Sequence, residues 1–152
     1  MDKDTQAKLE AALNRRATAT REAELKKAAA AKEEAEREAK KDAAGKQWGV
    51  SLQQIESAIN EVNTRISPHG LNFKISEAKK PDSAAIARLF ILLIDDKRLN
   101  DKEKTLVLNV SAYGLIQPAS HTLGNFANFT VYDANQARFE QLLTDYLGLV
   151  FK

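Results

Sequence analysis

The chain has 152 residues, of which 43% are hydrophobic and 29% are charged, and its formal net charge is +2 at pH 7. These proportions are those of a globular protein, and they exclude a chain that is disordered throughout or built mainly from membrane spans. Cysteine is missing from the sequence. Disulfides and thiolate metal sites are therefore excluded as well.

The apolar runs of the chain are short. The longest, LFILLI, extends only from Leu89 to Ile94, whereas a helix that crosses a bilayer needs about 20 apolar residues. The N-terminal sequence MDKDTQAKLEAALNRR also lacks an apolar run of signal-peptide length. We therefore predict a cytoplasmic protein without a membrane partner.

Residues 1–46 differ in composition from the rest of the chain. They contain no aromatic residue and no proline, and strong helix formers fill nearly every position from about Asp4 to Ala44. Opposite charges recur four residues apart, in the pairs Glu22 and Lys26, Glu33 and Arg37, and Glu36 and Lys40. The pattern predicts a charged helix of roughly 60 Å, at about 1.5 Å per residue, that ends near Gly45.

The apolar positions of this helix decide whether it has a partner. Only Leu9, Leu13 and Leu25 are larger than alanine, and the alanines drift away from a strict heptad. Two interpretations stay open. The segment is either a weak, alanine-lined coiled coil, or it is solvated on all sides or largely disordered.

A second helix is predicted after Trp48. Its apolar residues recur every three or four positions and form one stripe, made of Leu52, Ile55, Ile59, Val62 and Ile66. Ser51 and Gln54 have the spacing of a capping box, which favours a start near Ser51. The alternative is that the first helix runs straight through Trp48. Pro68 and Gly70 predict where the helix ends.

Three or four strands should follow. LNFKI (71–75) and TLVLNVSAY (105–113) alternate between apolar and polar residues, as strands with one buried face do. Ala84–Ile94 is apolar on both sides, which favours a central strand over a buried helix. NFANFTVY (125–132) is the last candidate, because aromatic and β-branched residues favour strands.

The C-terminal segment is amphipathic. Asp133 and Gln136 have N-cap and N3 spacing, and one apolar face follows, made of Phe139, Leu142, Leu143, Tyr146, Leu147 and Val150. We therefore predict an α+β fold, in which a charged helical extension (1–46) precedes a compact domain (47–152). In that domain, a helix and the C-terminal helix cover the apolar face of a three- to four-stranded antiparallel sheet.

Few residues point to catalysis. The two histidines, His69 and His121, lie in turn or loop sequences outside any recognised motif. The acidic segment 95–104 lacks the ligand order of a calcium loop, and its interleaved basic residues favour a solvated connection between strands. The six glycines are scattered singly, which excludes a phosphate-binding glycine loop. We predict a protein that is not an enzyme and that uses no cofactor or metal.

The polar side of the predicted sheet is the best candidate for an interaction surface. In the expected register it presents Asn72, Lys74, Thr105, Asn109, Tyr113, Asn128, Thr130 and Tyr132. An ordinary solvated sheet face, or one covered by another subunit, is the alternative.

These features predict a non-enzymatic interaction module that binds a protein partner or itself, as a dimer or a larger oligomer, and that is carried on the charged helix. The alternative is a nucleic-acid-associated protein, which would use the polar sheet face for bases. Its phosphate contacts would be Arg15, Arg16, Arg21, Lys26 and Lys27. An enzyme of unidentified mechanism is the third hypothesis.

Overall fold

The computed structural model describes residues 1–79, 85–96 and 104–152, except for the side chains of residues 77–79. Its elements, in chain order, are α1 (Lys3–Ile66), a 3-10 turn (Ser67–His69), β1 (Leu71–Lys79), β2 (Ala85–Asp95), β3 (Thr105–Ser111), β4 (Leu115–Ser120), β5 (Gly124–Asn125), β6 (Phe129–Thr130) and α2 (Gln136–Val150). The predicted α+β class is confirmed. The sheet has more strands than the three or four that we expected.

The chain divides into two compact units, Met1–Ala39 and Lys40–Lys152. The predicted boundary after residue 46 stays a prediction, but Ala44 on its N-terminal side is fully buried. In Met1–Ala39, Ala11 is half-buried and every other residue is exposed.

A single helix replaces the two successive helices that we favoured. α1 continues for 64 residues through Gly45, Trp48 and Gly49, so the alternative interpretation is the one found. A helical glycine costs only about 1 kcal/mol, and the buried stripe of α1 already begins at Ala44 and Trp48. Packing on both sides of the glycines therefore keeps the helix continuous.

The N-terminal end of α1 is capped by a carboxylate. The Thr5 amide donates to Oδ1 of Asp2 over 2.7 Å, and this hydrogen bond holds the pKa of Asp2 below its usual value. Further along, Arg37 pairs with Glu34 at 3.0 Å, not with the predicted Glu33. These exposed contacts stabilise the helix only weakly.

The sheet has the order β1-β2-β3-β4-β5, with β6 also paired to β4, and every pairing is antiparallel. Of the predicted strand Ala84–Ile94, residues 85–94 were correctly assigned, since they lie in β2, and Ala84 is outside the described residues. The predicted strand 125–132 is wrong in part: only the two-residue strands β5 and β6 form there, and residues 126–128 between them are irregular.

β4 was missed because it contains Pro118, and proline is rare inside sheets. The Pro118 carbonyl accepts a hydrogen bond from the Phe126 amide over 3.0 Å. In an extended strand, the amide and the carbonyl of one residue point to the same side. The missing N–H of Pro118 is therefore on the side of the irregular residues between β5 and β6. The pairing of Pro118 with Leu108 of β3 loses no ladder hydrogen bond.

One hydrophobic cluster forms the core. It combines Ile55 of α1, Leu108 of β3 and Phe139 of α2 with the other buried apolar residues of these elements. Because the strand residues in this cluster all lie on one side of the sheet, both helices cover the same face, as predicted.

α2 begins later than we predicted. Its N-cap is Asn135, whose Oδ1 accepts from the Arg138 amide at 2.7 Å, whereas Asp133 accepts a hydrogen bond from the Thr130 hydroxyl. The predicted apolar face is confirmed. On this face, burial raises the pKa of Tyr146, whose ring lies 6.1 Å from that of Phe73.

Asn63 of α1 occupies the outer edge of β1. Its Nδ2 donates to the Phe73 carbonyl over 2.9 Å, and its Oδ1 accepts from the Phe73 amide over 2.7 Å. One side-chain amide thus makes both hydrogen bonds that a neighbouring strand would make with Phe73.

The predicted solvated connection 95–104 is corrected at both ends, because Lys104 is buried, with only 4% exposure, and so is Asp95. Asp95 is the last residue of β2 and is only 8% exposed. Residues 97–103 lie outside the described part of the chain. Among the residues that are described, no helix is both long enough and apolar enough to cross a bilayer.

Candidate interaction face

The sheet has one face that the two helices cover and one that they leave uncovered, which we call the open face. Burial alternates along β3, where Leu106, Leu108 and Val110 are buried and the residues between them are only half-buried. The same alternation follows β2 and β4. Side chains that pair directly across strands lie on the same face, so the strand register determines which residues share the open face.

An apolar patch lies in the middle of the open face. We define it as Phe90, Leu92, Ile94, Val107 and Ala119. Phe90 pairs with Val107, and Val107 pairs with Ala119, which places these three side chains in one row across the sheet. Ile94 is 42% exposed. None of the five belongs to the hydrophobic core or packs against it.

Predicted polar residues surround this patch. Lys74 and Thr105 lie on either side of Leu92 in one row, and Asn72 pairs with Ile94. The structure therefore brings Asn72, Lys74 and Thr105 together on the open face, as predicted from the alternation. Our prediction left out the apolar residues beside them, although the sequence of β2 is apolar on both sides.

On the other side of the patch, a polar row crosses the sheet through Arg88, Asn109 and Gln117. The Arg88 Nε donates to Oδ1 of Asn109 over 2.8 Å. The predicted residue Asn109 therefore lies on the open face, and Arg88, which we did not assign to the site, holds its amide in position.

This polar row borders a small concavity of about 200 Å³, which we call the carboxamide pocket. Its lining residues are Asn109, Gln117, Pro118, Ala119, Asn125 and Asn128. Ala119 also belongs to the apolar patch, so the two features are contiguous. The pocket brings Asn128 close to Asn109, but it depends on β4, which the sequence did not reveal.

The predicted tyrosines lie away from the middle of the sheet. Tyr113 and Tyr132 are 49% and 57% exposed and belong to turns after β3 and β6. The Val131 amide donates to the Gly114 carbonyl over 2.8 Å, so the two turns meet at one end of the sheet. Thr130 pairs with Leu115 on the open face and donates its hydroxyl hydrogen bond to Asp133.

The predicted anion contacts are exposed on α1. Helical geometry places Arg15 and Arg16 on the same side as Lys26 and Lys27, which follow about three turns later, but puts Arg21 on the opposite side. Met1–Ala39 contains nine Lys and Arg residues and nine Asp and Glu residues. This unit therefore has no net positive charge to attract a polyanion.

The residues with catalytic chemistry are not brought together. His69 and His121 are exposed, one in the 3-10 turn and the other in the turn after β4. No group of three or more potential metal ligands occurs among the described residues. A larger open groove of about 550 Å³ lies between α1 and the sheet, lined by Lys41, Asp42, Gly45, Lys46, Ala85, Ile86 and Ala112. We assign this groove no function.

Comparison of the chain with protein-family models, with curated proteins and with solved structures gives no match in any of the three. The chemistry of the open face is therefore the basis for proposing a function.

Proposed function

We propose that Lys40–Lys152 is a protein-interaction module and that its open face docks a partner protein through the apolar patch. The observation behind this proposal is that Phe90, Leu92 and Ile94 are apolar, at least partly exposed and not packed against the core. Burial of such side chains contributes about 25 cal/mol per Å² of apolar surface. A contiguous apolar patch with a polar rim is typical of protein-binding surfaces.

In this proposal the charged helix spaces or clusters the module. Leu9, Leu13 and Leu25 are large apolar residues that are exposed in Met1–Ala39. They provide the positions at which two copies of the helix would make contact in a weak coiled coil. Self-association through the helix and partner binding through the open face are compatible, because they use different residues.

Nucleic-acid binding is supported less well. Binding of a single strand combines exposed aromatic rings with several cations along the backbone. The patch is mainly aliphatic, and the exposed tyrosines lie in turns at one end of the sheet. Lys74 and Arg88 are the cations among the described side chains of the open face.

The proposal is tested by affinity capture with three forms of the full-length protein: wild type, Ile94→Asp and Leu25→Asp. Ile94→Asp puts a charge into the patch at its exposed residue, whereas Leu25→Asp puts the same charge on the exposed helix. We expect Ile94→Asp to lose specific partners at least ten-fold by quantitative mass spectrometry, and Leu25→Asp to retain them. Equal capture by all three forms would contradict a role for the open face.

Light scattering on the same three proteins tests self-association separately. A mass that falls to that of a monomer only in Leu25→Asp assigns self-association to the helix. A fall only in Ile94→Asp would instead place a second copy of the chain on the open face.

A further inference from the structure

The carboxamide pocket has hydrogen-bonding capacity that the fold does not use. No hydrogen bond within the described part of the chain involves the side-chain amides of Gln117, Asn125 or Asn128. Each carboxamide offers two N–H donors and one acceptor oxygen. Three such groups around a cavity of about 200 Å³ are suited to a small polar group that both accepts and donates hydrogen bonds.

Arg88 adds a fixed positive charge next to this pocket. Its Nε is occupied by Oδ1 of Asn109 at 2.8 Å, which fixes the plane of the guanidinium. The two terminal nitrogens, with four N–H donors between them, have no partner among the described residues. A guanidinium whose terminal edge is available binds a carboxylate through two parallel hydrogen bonds.

Among the described strand residues of the open face, the charged side chains are all positive. They are Lys74 and Arg88, which lie on opposite sides of the apolar patch. An anionic partner is therefore favoured. A second copy that docked through the same face would bring like charges together, which opposes association.

The spacing of charge and apolar surface indicates an extended partner segment. Arg88 and Phe90 are two residues apart in β2 and lie on the same face, so they are separated by about 7 Å along the strand. Residues two apart in an extended segment have the same separation and also point to one side.

The carboxamide pocket, Arg88 and Phe90 together form one corner of the open face. We infer that this corner binds an extended segment of a partner protein in which an acidic residue lies two positions from an apolar residue. The carboxylate contacts the terminal nitrogens of Arg88, the neighbouring main chain hydrogen-bonds to the carboxamides, and the apolar side chain packs on Phe90 and Val107. The inference rests on the proposed function, since it specifies the chemistry of the partner.

The test is selection of a random 12-residue peptide display library on the full-length protein. We expect enriched peptides to carry Asp or Glu two positions from an apolar residue. Replacing that acid by its amide, or Arg88 by glutamine, should weaken the selected peptides about ten-fold, because a charge-assisted pair is lost. Lys74→Gln is the matched control: it removes another exposed positive charge from the same face and should leave affinity within about two-fold.

Three outcomes would overturn the inference. Enriched peptides that are apolar but carry no acid, and that bind Arg88→Gln as well as wild type, would refute it while leaving the proposed function intact. If the selection yields no peptide whose binding is weakened by Ile94→Asp, the result contradicts both the inference and the proposed function. Displacement of the peptides by an eight-nucleotide RNA at equal concentration would assign the corner to phosphate recognition. Arg88→Lys gives a further check, since it keeps the charge but lacks the planar pair of donors.

Discussion

The two parts of α1 show how one helix is formed under two different conditions. Up to Ala39, its side chains are exposed except for half-buried Ala11, and its stability depends on helix propensity and on charge pairs such as Arg37 with Glu34. From Ala44 onwards, a stripe of residues is buried against the sheet and α2. Each charge pair contributes only tenths of a kcal/mol, whereas one buried large apolar side chain contributes about 1.5–3 kcal/mol.

The comparison explains why a helix with glycines at positions 45 and 49 is still continuous. Propensity alone favours a break there, but packing of Ala44 and Trp48 holds the chain in helical geometry on both sides. Tertiary packing therefore carries α1 past both glycines, and the helix ends only at Ile66, where the approaching Pro68 disfavours helical geometry.

The largest effect should come from truncating a buried residue of the packed part. Ile55 is 1% exposed, so Ile55→Ala should lower the free energy of unfolding by about 2–5 kcal/mol through lost burial and a cavity. Leu13→Ala, in the exposed part, should change it by less than about 0.5 kcal/mol. Urea unfolding followed by the fluorescence of Trp48 measures both. Similar losses in the two variants would remove the distinction between the two parts of the helix.

A second substitution tests the place where the packed part begins. A Cβ on Gly114 would lie 2.6 Å from Cγ2 of Val131 and 3.4 Å from Cβ of Ala44, at a φ of +91°. Gly114→Ala should therefore cost about 2–4 kcal/mol, from backbone strain and overpacking together. Gly124 has a similar φ of +84° but nothing within 4 Å of its Cβ. Gly124→Ala should then cost only about 1 kcal/mol, and equal losses in thermal unfolding would show that the close approach of Val131 to Gly114 is unimportant.

The smallest predicted effect is a gain in stability. The Oγ of Ser51 is buried without a hydrogen-bond partner among the described residues, and alanine is the better helix former. Ser51→Ala should raise the free energy of unfolding by about 1 kcal/mol, because a hydroxyl that pays for desolvation is removed. Thr18→Ala, in the exposed part of α1, is the control, because it changes the free energy of unfolding only through helix propensity. A loss of stability in Ser51→Ala would mean that the hydroxyl has a partner, such as a bound water.

Local periodicity predicted much of the fold. β1, β3 and the apolar face of α2 follow from patterns of two or 3.6 residues, and these patterns depend only on which side of an element is buried. The continuity of α1 and the interruption between β5 and β6 depend on contacts with distant residues. β4 was missed for a similar reason, since the tolerance of Pro118 depends on the position of Phe126.

The candidate site was predicted in part. Alternation along two strands placed Asn72, Lys74 and Asn109 on one face, and the register confirms that placement. The carboxamide pocket was out of reach, because it needs β4 beside β3 and residues 125 and 128 beside β4. The apolar patch had a visible signal in β2, but a strand with two apolar sides is equally typical of a strand that is covered on both faces.

The contact between Asn63 and Phe73 has a consequence for assembly. β1 is the last strand of the sheet on its side, and an unoccupied edge strand invites sheets of neighbouring molecules to join and polymerise. A foreign strand that approached β1 would have to displace the Asn63 amide from both backbone groups of Phe73 before it could pair there. One side chain of the helix thus hinders growth of the sheet from molecule to molecule at this edge.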